Sequence, residues 1–549
     1  MRARGASPLG GAAWRPPPSL EDGLLAASAM PDGRLRLWLW VAAWAVFVLS
    51  VAAAIRPGFT WDEPGYVASG YAYCEWLGRP SLDEPSITRS WKPNREHPPA
   101  AKVVYGAAAT LGDAVGLSPY FAARCAAAAM FTLLAGLVFG FTARHFGRTA
   151  GVLAALSLVL IPRVFGHGHL AGLDAPVALA CFATTILFAR AHKGPWSAAA
   201  AGLVWGVALL TKFNAAFLPL VLVPWAAWRH RKKAIRPCVL LVVVGSLTFF
   251  AGWPWLWQDT AERTGEYVAN KTGRLFATGR SARPGGTSNV PVHYLGRTHT
   301  DDRAPWHYPF VMLLATVPVG LLGFLAVGVP RSLRDDERRG IGTLLVASAL
   351  LHVVILALPL VPKYDGVRLF LPAFPFLACL AGVGAARVWR WRGRLGKAVV
   401  LAVLSVHAVA LVATHPYELS YYNCLVGTAW GAERLGFQTT YWGETITREV
   451  ADHVNTTCPD GSSLAVWPPY MAKFKQKLRT FLWAKPSLDS RLGWTPDGPP
   501  PDYLIRVPRR GYRDEAMRSL LAGREPVRRW TYLGVPQCLL FRLRGEPLR

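Results

Sequence analysis

Charge is scarce in this chain, and acidic charge most of all. Asp, Glu, Lys and Arg make up 17% of the 549 residues, against about 25% in ordinary soluble domains. Only 33 of these residues are acidic, against 60 Lys and Arg. This scarcity excludes an ordinary soluble enzyme. None of the eight cysteines is spaced as C-x-x-C, so no cysteine metal knuckle is expected. The chain also lacks an internal repeat of the kind from which many transporters are built.

Apolar length is what the chain has in abundance. It is 52% apolar, with 23 Trp, and many windows approach the roughly 20 apolar residues needed to cross a bilayer. Hydropathy gives about eleven runs, at 37–55, 121–142, 150–165, 175–189, 197–210, 213–228, 237–253, 309–329, 341–361, 369–386 and 398–414. Alternate connections are short and basic. They hold Arg144 and Arg148, Arg190 and Lys193, Arg229 to Lys233, Arg331 to Arg339, and Arg387 to Lys397. Lys and Arg collect in cytoplasmic loops, so these connections fix the N-terminus inside and the C-terminus outside. The net charge of +27 then fits anionic lipid headgroups and lipid phosphates as partners rather than nucleic acid.

The expected fold is an all-α polytopic membrane protein with a small extracytoplasmic α/β domain at its C-terminus. Residues 1–36 are expected to be a disordered cytoplasmic tail, because 1–33 are rich in Pro, Gly and Ala and show no periodicity. Residues 37–414 form the transmembrane domain. It has a first outer loop at 61–120 carrying interfacial helices and a long outer loop at 254–308. Residues 415–549 form the C-terminal domain. There, Ser463–Trp467, Tyr503–Val507 and Cys538–Leu543 read as strands and Asp514–Leu521 as a helix. Cys125, Cys181, Cys238 and Cys379 read as small packing residues. A disulfide between Cys458 and Cys538 stays open.

The few carboxylates collect at the outer ends of the apolar runs. Asp62 and Glu63 follow the first run, in Phe59-Thr-Trp-Asp-Glu-Pro-Gly-Tyr66. Asp174 opens the run at 175–189, with Pro176 in its first turn. An N-cap Asp is the plain reading there. Lys102 follows Pro98-Pro99 and so falls in the first turn of the next helix. His97 stands in the His97-Pro-Pro turn before that helix, and Lys363 and Arg368 enter the run at 369–386. The long outer loop adds aromatics suited to a sugar face or the lipid interface, and Asp301-Asp302 reads as a solvated acidic turn. Carboxylates and cations at one membrane face can perform one particular chemistry. A carboxylate takes the proton of an attacking hydroxyl, and fixed cations stabilise a phosphate as it departs. Phosphate needs no general acid, and a donor outside the cytoplasm is naturally linked to lipid.

Trp61-Asp-Glu-Pro64, His97-Pro-Pro-Ala-Ala-Lys102 and Leu173-Asp-Ala-Pro176 resemble the motifs of the C-type glycosyltransferase fold. So do Leu210-Thr-Lys-Phe213, Asp365-Gly-Val-Arg-Leu-Phe-Leu-Pro372, Pro416–Asn423 and Tyr441-Trp-Gly-Glu444. Over roughly 37–445 the chain is similar to the protein O-mannosyltransferase-like and aminoarabinose-transferase-like enzymes, and among them to bacterial members of unknown specificity. The resemblance implies an inverting transfer of sugar from a polyprenyl-phosphate donor to a hydroxyl acceptor, in a bacterial inner membrane, on the extracytoplasmic face. It implies Asp62 as the catalytic base and Glu63 as its helper or a wall of the acceptor site. It further implies Lys102 and Arg368 on the donor phosphate, His97 supporting the first loop, and Asp174 as the second-loop acid. Lys363 joins the substrate-binding set. Some relatives bind metal through D-x-D, a spacing that Asp62-Glu63 lacks, so no metal or other cofactor is expected to be required. The rival readings are a lipid-linked oligosaccharide ligase or polymerase, and a lipid or sugar transporter. The first leaves the acidic pair after the first run unexplained, and the second predicts repeats.

Overall fold

The computed structural model describes residues 33–276, 290–300, 303–334, 336–359, 361–469, 485–491, 494–512 and 515–544. It divides into a unit ending at Val46 and a unit from Phe47 onward. The described part of the first unit is helical and belongs to the helix Gly33–Ala53. That helix already covers the last residues of the expected tail, most of which lies outside the described residues, as do Asp301 and Asp302.

Helices dominate the second unit. Six helices among the described residues are long and apolar enough to cross a membrane, and two bent pairs bring the number to eight. Hydropathy alone gives about eleven, and the difference has local causes. The runs at 213–228 and 237–253 hold the separate helices Pro219–His230 and Ile235–Ala251, divided at Arg231 (φ 51, ψ −127), and the first is shorter than a bilayer requires. The helix Pro195–Leu209 is shorter than a bilayer requires. Two runs are broken at X-Pro steps, because proline pushes the preceding residue out of the helical region. Ile161 takes φ −87, ψ 107 before Pro162, and Arg148–Val159 and Pro162–His169 meet at 74°. Val317 takes φ −79, ψ 131 before Pro318, and Tyr308–Thr316 and Val319–Arg334 meet at 113°.

The first outer loop folds into helices Glu63–Gly78, Glu84–Trp91 and Ala100–Ala114. The first and third touch backbone to backbone at two glycines. A Cβ on Gly70 would lie 2.2 Å from the Lys102 carbonyl, and one on Gly106 would lie 2.2 Å from Gly70. The long outer loop is more ordered than its glycines and prolines suggest. It holds the helix Thr260–Phe276 and a hairpin of β1 (Val292–Tyr294) and β2 (Arg297–His299). Leu295 and Gly296 turn that hairpin, both at positive φ, which matches the right-handed twist of the strands.

After the last long helix, Arg394–Thr414, the chain forms a five-stranded sheet ordered β4-β3-β5-β7-β6. The strands are β3 (Ser463–Trp467), β4 (Asp489–Ser490), β5 (Tyr503–Arg506), β6 (Arg528–Tyr532) and β7 (Val535–Arg542). β3 runs parallel to β4 and β5, while β7 is antiparallel to β5 and β6. The helices Arg448–Thr457 and Glu515–Leu521 accompany the sheet. Leu464, Val466, Ile505 and Leu540 share one apolar cluster with Val450 and Val454 and with Phe59, Tyr66 and Tyr105 of the first outer region. The sheet and that region therefore rest on a continuous core. All eight cysteines carry free thiols, Cys458 and Cys538 included.

Candidate active site

Asp62 and Glu63 are neighbours in sequence and part company in space. Glu63 opens the helix Glu63–Gly78, and Asp62 sits at the cap position with φ −91, ψ −30 and no capping bond from its side chain. Successive helical residues are turned by about 100°, so the two carboxylates face different partners.

Glu63 faces inward, to Arg124 on the helix Pro119–Phe146. Its Oε1 accepts from Arg124 Nε at 2.8 Å and from the Ala171 N–H at 2.9 Å. Its Oε2 accepts from Arg124 at 2.8 Å and from the Thr60 N–H at 2.7 Å. Arg124 directs its remaining donors to the carbonyls of Ala54, Pro57 and Gly58 at 2.7–2.9 Å. The five N–H groups of a guanidinium and the lone-pair sites of a carboxylate are thereby matched. Burial alone would raise the Glu63 pKa. The Arg124 charge and these hydrogen bonds outweigh it and hold the carboxyl below its usual range. Glu63, 1% exposed, braces the segment 54–60 against Ala171 through Arg124.

Asp62 faces Arg368, which gathers three carboxylates. Arg368 Nε donates to Asp174 Oδ2 at 3.0 Å, and Nη1 donates to Asp365 Oδ2 at 3.1 Å. Nη2 donates to Asp62 Oδ2. The guanidinium lies 3.6 Å from the ring centre of Trp442, whose indole N–H donates to the same Asp62 Oδ2 at 2.9 Å. Two further cations close the cluster. Lys212 donates to Asp174 Oδ1, and Arg509 donates to Asp365 Oδ1 at 2.8 Å. Asp62, Asp174 and Asp365 are thus balanced by Arg368, Lys212 and Arg509. The members differ sharply in access: the Asp62 side chain is 35% exposed, Arg368 8% and Asp174 2%. The cluster opens outward through Asp62. Beside it, burial and then the charge of Asp62 raise the Tyr66 phenol well above its usual pKa, so that phenol stays neutral.

Asp174 is therefore no N-cap. Leu173 holds the cap position and no side-chain capping bond forms. Both Asp174 oxygens go to cations from distant parts of the chain instead. Lys102 lies in the first turn of Ala100–Ala114 but turns its ammonium into its own loop. It donates to the carbonyls of Asn94 at 2.8 Å and His97 at 2.6 Å, and to Asn94 Oδ1 and the Tyr73 hydroxyl at 3.2 Å. Lys363 donates to the carbonyls of Leu358 and Val361 at 2.9 and 3.0 Å. The His97 ring meets the Tyr66 ring edge-on, with centroids 6.0 Å apart. The structure thus brings Asp62, Asp174 and Arg368 together and places Glu63, Lys102 and Lys363 in separate bracing contacts. Among the described residues, no group of three His, Cys, Asp or Glu side chains is placed to hold a metal ion.

Sequence reasoning gave no role to Lys212, Asp365, Trp442, Arg509 or Arg124. The first three lie inside motifs that carry the family resemblance. Arg124 had its own signal, since a lone arginine within an apolar run is expensive unless paired. Arg509 had none, because its partner is 144 residues away.

Residues 96–257 match the family model described as dolichyl-phosphate-mannose-protein mannosyltransferase. That span includes Arg124, Asp174 and Lys212. No curated protein sequence matches the chain. Among solved structures, ArnT from Cupriavidus metallidurans in the apo state is 15% identical, with a TM-score of 0.53 over 96% of this chain and 100% of that one. The same protein bound to undecaprenyl phosphate is 16% identical, with a TM-score of 0.50 over 93% of this chain and 99% of that one. The family match lies in the first half of the chain that is superposed on ArnT. The chain therefore has the fold of ArnT, and within it residues 96–257 are similar to the mannosyltransferase family model.

Proposed function

We propose that the protein transfers a sugar, with inversion, from a polyprenyl-phosphate donor to a hydroxyl acceptor at the extracytoplasmic face of a bacterial inner membrane. The observation that carries this reading is the Asp62 carboxylate. It is the exposed member of an otherwise buried charge cluster, held on one oxygen by Arg368 and Trp442. A base needs such access, and fixed neighbours keep it aimed. The acceptor oxygen forms a bond to the anomeric carbon as Asp62 takes its proton. The bond from that carbon to the phosphate oxygen breaks, and the electron pair leaves with the phosphate. Arg368 and Lys212, set behind Asp62, supply the positive field into which that charge develops. Asp174 and Asp365 hold those cations in place before the donor arrives. Undecaprenyl phosphate bound to the protein of the same fold supports a lipid-phosphate donor.

In this reading His97 and Lys102 shape the loop over the site, Glu63 braces it, and Lys363 fixes the entry to the Arg368 turn. The short basic connections, read as cytoplasmic, support an outer position for the cluster. No metal is required, and activity that survives chelator treatment is the expected outcome. The test of the whole reading is radiolabel transfer in proteoliposomes from a panel of synthetic polyprenyl-phosphate sugars. Wild type is compared with Asp62→Asn across lipid, glycan and protein acceptors.

A further inference from the structure

Trp442 lies 380 residues from Asp62 in the chain, yet several independent attachments hold it against that carboxylate. The backbone of the segment before Asp62 runs antiparallel to the segment around Trp442. The Trp61 N–H donates to the Trp442 carbonyl at 3.0 Å and the Gly58 N–H to the Glu444 carbonyl at 2.7 Å. The Arg448 N–H donates to the Arg56 carbonyl at 3.0 Å. The Trp442 N–H in turn donates to Glu444 Oε2 at 2.8 Å. Gly443 takes φ +99 and lies under the Trp61 ring, where a Cβ would come within 2.9 Å. On the far side, a Cβ on Gly172 would lie 2.6 Å from the Trp442 ring. Arg509 secures the preceding residue by donating to the Tyr441 carbonyl.

This anchoring has a consequence for Asp62. The indole N–H and Arg368 both donate to Oδ2. Oδ1 has no hydrogen-bond partner among the described residues. Two donors on one oxygen fix the carboxylate plane and leave the other oxygen available. The same indole ring covers one face of the Arg368 guanidinium, a cation–π contact that strengthens when water is excluded.

We infer that Trp442 is a positioning residue of the transferase. It orients Asp62 so that Oδ1 meets the acceptor hydroxyl, and it keeps Arg368 in register with both. The chain after the last long helix then completes the site rather than only covering it. This inference rests on the reading of Asp62 as the base.

The test uses full-length protein in proteoliposomes, with the donor–acceptor pair that gives transfer. Trp442→Phe keeps a ring over Arg368 and removes the N–H. It is expected to lower kcat per folded molecule about tenfold and to leave donor KM within about twofold, while the smaller buried ring lowers the thermal midpoint. Trp442→Ala removes the ring as well and is expected to raise donor KM in addition. Trp442→His restores a ring N–H and is expected to recover part of the lost kcat. A purely structural role would lower the thermal midpoint and the amount of folded protein but leave kcat per folded molecule unchanged. Wild-type kcat in a folded Trp442→Phe protein overturns the inference. If that variant does not fold, Trp442→Tyr replaces it under the same criterion. Asp62→Asn is measured alongside. Full activity there overturns the function itself, whereas an inactive Asp62→Asn beside an unaffected Trp442→Phe overturns only the positioning role.

Discussion

Replacing Glu63 by Gln isolates what the second member of the acidic pair does. In the native protein its carboxylate accepts four hydrogen bonds, two from Arg124 and one each from the N–H groups of Thr60 and Ala171. Gln keeps the shape but turns one acceptor into a donor. Whichever way the amide sits, its NH2 faces one guanidinium N–H and one backbone N–H. Arg124 is left as a buried cation without a counter-ion. Removing one partner of a buried pair costs about 3–5 kcal/mol. With an unfolding entropy of about 2.1 cal/mol/K per residue, a chain of this size loses roughly 3–4 °C in thermal midpoint. The folded fraction should still turn over, because Glu63 lies outside the Arg368 cluster. The wild-type contribution also depends on pH. The folded carboxyl titrates below the ordinary value of 4.5. Its stabilisation is therefore present above that value and is lost as pH falls through the lower folded value. Thermal unfolding in detergent, paired with turnover per folded molecule, measures both effects. A Glu63→Gln protein as stable as wild type but catalytically dead would refute the brace and return Glu63 to the chemistry.

Two other perturbations probe the same neighbourhood. Burial pushes the Glu444 carboxyl up to about 7 from an ordinary 4.5, and its Oε1 has no hydrogen-bond partner among the described residues. The fold favours the protonated form, so wild-type stability should fall by ~3 kcal/mol as pH rises from 4.5 to 7 and level off above that. Thermal midpoints across this window should show the slope, and Glu444→Gln should flatten it. Asp174→Asn removes the charge that holds both Lys212 and Arg368, so kcat/KM in the transfer assay should fall by at least about 100-fold.

The family motifs mark a large part of the site in the sequence. Asp62, Asp174 and Arg368 are readable because a carboxylate or guanidinium at the end of an apolar run must have a reason to be there. The kinks before Pro162 and Pro318 are also written in the sequence, as X-Pro steps inside apolar runs. The different destinations of Asp62 and Glu63 are not, since adjacency in sequence says nothing about which side of a helix meets which partner. Lys102 shows the same limit. Its helical position follows from Pro98-Pro99, but whether its ammonium serves a ligand or the carbonyls of Asn94 and His97 depends on the turn around it. The contributions of Trp442 and Arg509 come from contacts spanning 380 and 144 residues. Trp442 is brought to Asp62 because residues 442–448 pair their backbone with residues 56–61, and no local pattern announces such pairing.

The most direct measurement is transfer of radiolabelled sugar from polyprenyl-phosphate donors in proteoliposomes, with wild type and Asp62→Asn compared at equal folded protein. The account predicts labelled acceptor with wild type and loss of that label in Asp62→Asn, with both proteins retaining the same thermal midpoint. Equal transfer by the two proteins would contradict it, because the exposed carboxylate on which the Arg368 cluster converges would then not be the base.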